Sequence, residues 1–178
     1  MIVLDTICEL AKTLSTKVEK SESSVEVVNC SLKFSAVTID RDTVDELLGM
    51  SIGWCRDHLF DEQGAPVRSF TLSVHGRALS VSGSIQGVKG EHVLSLLQAE
   101  LSDVRLSLVN LGAVCEGKLT WAARGDEVED VMLLLGKTCG VHWELRDAGQ
   151  EDLFAGSQSA AAAATRGAIA RIGRGQPQ

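Results

Sequence analysis

The chain has 178 residues, of which 44% are hydrophobic, and 17 basic against 24 acidic residues give a formal charge of −7. That is enough apolar material for one domain with tails, whose core needs neither a metal nor disulfides. No run of 18 or more apolar residues occurs, which argues against a transmembrane helix, and MIVLDTICEL carries Asp5 and Glu9 where a signal peptide has a basic and then a clean apolar stretch, so a cytoplasmic location is expected.

In chain order, Leu4, Ile7, Ala11, Leu14 and Val18 recur at spacings of three and four, which predicts an amphipathic N-terminal helix, closed by Ser21–Ser24. VEVVNCSLKFSAVTI then alternates, with Val28, Cys30, Leu32 and Phe34 on one face, as a strand with one wet side does. DRDTVDELLG predicts a short helix with acidic residues in its first turn and Gly49 at its stop. Residues 50–69 are irregular, and Phe60–Pro66 (FDEQGAP) is a loop. FTLSV and ALSVSGSI alternate around His75-Gly76-Arg77 and predict a hairpin. Residues 91–102 fit a helix or a strand equally well. Residues 103–110 and 115–123 alternate strictly about Leu-Gly-Ala and predict a second hairpin, with Leu119 and Trp121 inward and Glu116, Lys118 and Thr120 outward.

RGDEVEDVMLLLGKTCGVHWEL contains Gly136-Lys137-Thr138, the close of a phosphate-binding loop. Its surroundings deny that reading. An acidic first turn and a shared face of Val128, Val131, Met132 and Leu135 predict a helix that stops at Gly136, and Val141, Trp143 and Leu145 then alternate as a strand. A phosphate loop needs strand, glycine-rich loop and then helix, with a glycine five residues before Gly136, where Val131 stands.

Other chemistry is equally sparse. Cys8, Cys30, Cys55, Cys115 and Cys139 lie 22 or more residues apart and read as buried free thiols, while His58, His75, His92 and His142 form no ligand pair. His142 is expected opposite Val141 and Trp143. Asp40, Asp42, Asp57 and His58 would make a small acid–base enzyme only if they converged in one pocket; as helix and loop acids they read as solvated caps. No enzyme activity, cofactor or metal is expected.

Charge divides the chain. Residues 1–152 hold 14 basic and 24 acidic residues, a net −10, whereas residues 153–178 hold Arg166, Arg171 and Arg174 and no acid, a net +3. Nucleic-acid binding rests on neutralising phosphates, so direct contact with DNA is expected only weakly, through those three arginines. After Leu145 the composition shifts to Gly, Ser, Gln and Ala, as in a flexible tail. Inside it stands Gln150-Glu151-Asp152-Leu153-Phe154, two large apolar residues in a polar setting.

That pentapeptide resembles the motif by which bacterial DNA polymerases, mismatch-repair proteins and replication regulators bind the sliding clamp. Gln150, Asp152, Leu153 and Phe154 match its pattern, and Glu151 departs from the favoured Leu. The resemblance implies that Leu153 and Phe154 enter an apolar pocket on the clamp, that Gln150 hydrogen-bonds at its rim and that Asp152 holds the peptide turn. The alternative is a latch, in which Leu153 and Phe154 fold back on the protein's own sheet. A second similarity runs over residues 25–146. VVNCSLKFSAVTI, KLTWAARGDEVEDVMLLL and HWEL look like segments of small phage and prophage proteins found near replication and recombination genes. It implies a sheet-rich domain with residues 91–102 as a strand.

The expectation is an α+β domain over residues 25–147, mostly antiparallel sheet with two or three helices. An N-terminal helix and linker (1–24) precede it and a flexible tail (148–178) follows. Its expected function is non-enzymatic: an accessory or inhibitory protein engaging the bacterial sliding clamp, with homo-oligomerisation open. The runner-up is an acidic inhibitor or decoy that binds a host defence or DNA-binding protein through its negative surface.

Overall fold

The computed structural model describes residues 1–20, 26–75, 77–90, 92–123 and 125–148. In chain order the elements are β1 (Ile2–Lys20), β2 (Glu26–Asp40), α1 (Arg41–Leu48), α2 (Trp54–Leu59), β3 (Thr71–Ser73), β4 (Leu79–Gly87), β5 (Val93–Val109), β6 (Gly112–Ala123), α3 (Gly125–Leu134) and β7 (Thr138–Asp147). The protein is thus mostly antiparallel sheet with three helices among the described residues.

The strand pairings close on themselves. β5 pairs with β4, β4 with β7, β7 with β1, β1 with β2, β2 with β6, and β6 again with β5, all antiparallel. Six strands therefore form a barrel, which removes the exposed edges that an open sheet would leave. Alternate residues fill it. Leu32, Ile85, Leu94, Leu96, Leu106, Leu119 and Trp143 are all at most 1% exposed, and the Phe34 ring meets Trp143 edge-on at 5.0 Å.

The N-terminal helix is not there. The segment is β1, paired through residues 2–9 with β7 and through residues 9–20 with β2. Seven β-branched residues in this stretch (Ile2, Val3, Thr6, Ile7, Thr13, Thr16, Val18) disfavour a helix, since their χ1 freedom is lost against the preceding turn. The inward set is Ile2, Leu4, Cys8 and Leu10, while Ile7 and Val18 face solvent. The register shift between Leu10 and Leu14 puts two extra residues on β1, and with Ala11 and Leu14 against the core and Ile7 and Val18 exposed, the apolar spacing imitates a helical one. β1 belongs to the barrel and is no appendage to it.

The predicted hairpin about residues 75–77 is also corrected. β3 and β4 do not pair with each other; they lie one after the other along β5, at Arg105–Ser107 and Val93–Leu101. Both run antiparallel to β5, so the chain between them does not reverse direction. Of the segment 91–102, residues 93–102 are strand, as part of β5. The β5–β6 hairpin, the inward Leu119 and Trp121, and β7 with Val141, Trp143 and Leu145 inward all stand as expected. Of the expected inward face, Val131 is buried and Val128 and Leu135 pack against the core, whereas Met132 is exposed and Leu134 is buried in its stead.

The two halves of the chain repeat one plan: strand, strand, helical segment, strand. β1, β2 and β4 in the first half correspond to β5, β6 and β7 in the second, and exchanging the two sets reproduces the same ring of pairings. Sequence follows. CSLKFS (30–35) matches CEGKLT (115–120), and GRALSV (76–81) matches GKTCGV (136–141). Gly49 after α1 and Gly136 after α3 both take the left-handed conformation that stops a helix, at φ 70° and 68°.

Candidate functional site

The helical segment after β2 is held by one buried carboxylate. Asp45 of α1 has no solvent exposure and accepts from the Gly53 and Cys55 backbone N–H groups at 2.7 and 2.8 Å. Gly53 offers no side chain as the cap of α2, so Asp45 does that work from the neighbouring helix. Around it, Asp40, Asp42, Glu46, Asp57, Asp61 and Glu62 are exposed.

The four residues considered for acid–base chemistry serve local structure. Asp40 caps α1 by accepting from Thr43 N–H at 2.7 Å, and Asp57 pairs with Arg56 at 3.0 Å. His58 donates from Nδ1 to the Trp54 carbonyl at 2.8 Å and stacks on its ring at 4.8 Å. No hydrogen bond joins any two of the four. Among the described residues, no three His, Cys, Asp or Glu side chains stand together as a metal would need.

Gln150, Asp152, Leu153 and Phe154 lie outside the described residues, as do Arg166, Arg171 and Arg174. The point at which the chain departs is well defined. Arg77 donates to Asp147, the last residue of β7, at 2.8 Å, and also to the Glu46 and Leu47 carbonyls at the end of α1. Ala148 N–H donates to the Ala78 carbonyl at 2.8 Å. Opposite charge at a helix C-terminus and a paired carboxylate make Arg77 a clasp between both halves.

A groove of about 520 Å³ crosses the outer wall over β1, β2, β6 and β5. Lys33 and Lys118, matched positions of the two halves, face each other directly in the β2–β6 register. Like charges so placed repel, and no described carboxylate lies within ion-pairing distance of either; Glu116 is taken by Arg105 at 3.8 Å. Glu9 and Asp103 complete the charged rim. Gly117 is needed on the floor, because a Cβ there would press on the Phe34 ring at 3.0 Å. Register irregularities in β1, β2 and β5 surround the groove, with Ala36 and Asp103 at φ 62° and 54°. Sequence reading could not see this site, since only the β2–β6 pairing brings the two lysines together.

All five cysteines are buried and unpaired. Burial pushes the Cys8, Cys55 and Cys115 thiols up to about 12, with Cys139 adding to Cys8 and Asp45 to Cys55. They are poor nucleophiles. The chain matches no family model, and no curated protein or solved structure is significantly similar to it.

Proposed function

We propose that this chain is a non-enzymatic, phage-type accessory or inhibitory protein that engages a bacterial sliding clamp through Gln150–Phe154. The observation that carries the reading is the position of the motif. Gln150 stands three residues beyond Asp147, where Arg77 and the Ala78 carbonyl anchor the chain to the barrel. A short linear ligand so near a fixed root is suited to presentation by a rigid scaffold. Leu153 and Phe154 supply two apolar anchors and Gln150 fixes their register. Ordering the segment offsets part of that gain, which sets the expected Kd at about 1–10 μM. Calorimetry with a purified bacterial clamp tests it: binding in that range, abolished in a Leu153→Ala, Phe154→Ala double variant, is the expected result. Equal binding by the variant would remove the proposal.

A second reading draws on the six exposed carboxylates around α1 and α2, accompanied by the exposed Met50, Ile52 and Val67. An acidic face with apolar residues suits a basic partner such as a host defence or DNA-binding protein. Binding that falls steeply with salt and ignores Leu153→Ala would favour it over the clamp.

A further inference from the structure

The groove over β1, β2, β6 and β5 lies on the seam between the two halves, and the repeat explains its centre. Lys33 maps onto Lys118 and Lys118 onto Lys33, so the axis relating the halves passes between them. A basic residue at this position is thereby set opposite its own counterpart. Among the described residues, no ion pair engages Lys33 or Lys118, nor Glu9 or Asp103 at the rim, whereas Arg105 and Glu116 pair with each other. The seam groove thus carries four unmatched charges. Two are positive at its centre, on β2 and β6, and one is negative on each side, on β1 and β5.

The backbone that bears these charges is fixed. β2 and β6 are each paired along both edges, and Leu10, Phe34 and Gly117 on the groove floor are buried. Ala36 and Asp103 take the left-handed conformation although neither is glycine. Such backbone persists only where the surrounding fold holds it, and it clusters at ligand-binding sites. Like charges directly opposite on a sheet destabilise it. An anionic group seated between the two lysines would turn that repulsion into attraction.

The strand register sets the spacing of the charges. Asp103 follows Ser102, the partner of Lys118. With strands about 4.8 Å apart and about 3.3 Å per residue, its Cα lies roughly 6 Å from that of Lys118. Glu9 is opposite Ser35, two residues from Lys33, which gives roughly 8 Å on the other side. We infer that the seam groove binds a small zwitterion, with its anionic group between Lys33 and Lys118 and its cationic group at Asp103. Two extended residues span about 7 Å, so a di- or tripeptide with free termini has the required separation of charge. Three bases against three acids leave the groove without net charge, which favours a zwitterion over a polyanion. Nothing in this assignment depends on the clamp reading.

The test is a titration of the full chain with triglycine, followed by NMR amide shifts at low ionic strength, where exposed charges are least screened. Triglycine is expected to saturate in the millimolar range and to shift the amides of residues 9–11, 33–35, 102–105 and 116–118. N-acetyl-triglycine lacks the ammonium and triglycine amide lacks the carboxylate; each should bind about 3-fold or more weakly. A Lys33→Gln, Lys118→Gln variant should weaken triglycine about 5-fold or more, and should unfold in urea no earlier than the wild type because a repulsion is gone. Asp103→Asn keeps a residue suited to left-handed backbone and should weaken triglycine about 3-fold or more, while leaving N-acetyl-triglycine unaffected. Lys89→Gln, on an exposed residue between β4 and β5, should change nothing. No saturation by about 30 mM, equal binding of the three peptides, or undiminished binding by the double-lysine variant would each overturn the assignment.

Discussion

Removing the Asp45 carboxylate should destabilise the protein more than removing any other acidic group described above. In Asp45→Ala, the Gly53 and Cys55 N–H groups lose acceptors at 2.7 and 2.8 Å in a place with no solvent to replace them. Leaving a buried donor without a partner costs about 1–3 kcal/mol, and two donors are involved. The start of α2 also loses its cap and a favourable charge at its positive end, about 1 kcal/mol. These overlapping terms place the loss at roughly 3–5 kcal/mol, a large share of the ~5–15 kcal/mol that holds a typical domain. Asp45→Asn keeps one acceptor oxygen and should lose about half as much. The assay is urea unfolding at pH 7, comparing midpoints at constant slope. Asp42→Ala on the exposed side of the same helix serves as the control and should cost less than about 1 kcal/mol. An Asp45→Ala protein within about 1 kcal/mol of the wild type would refute the capping role.

Two further outcomes are expected besides clamp binding. Gly83 sits at φ 144°, and a Cβ there would overlap the His142 carbonyl oxygen on β7, so Gly83→Ala should cost roughly 2–4 kcal/mol in the same unfolding assay. Cys8, Cys55 and Cys115 should resist iodoacetamide at pH 8 in the native state and react once unfolded in urea, as read by mass; rapid native labelling would contradict their burial. Because their folded pKa is raised from 9.0 to about 12, the stability that these neutral thiols contribute is complete below pH 9 and is lost as the pH climbs toward 12.

What the sequence determined by itself is local. Alternation in residues 28–34 and 115–123 is strong because one face of each strand is buried and the other wet, a contrast that any reader of period two detects. The two longer helices were legible from acidic first turns and from Gly49 and Gly136, whose left-handed backbone is a single-residue requirement. The same reasoning failed in β1, where a register shift and the exposed Ile7 and Val18 produced a false helical stripe. Tertiary structure alone decided which strands are neighbours. Closure of the ring through β5 and β6, the collinear placement of β3 and β4, and the cap that Asp45 gives to a different helix all depend on contacts between residues distant in sequence. The seam groove has the same origin. Lys33 meets Lys118 across 85 positions, so no spacing rule along the chain could have joined them.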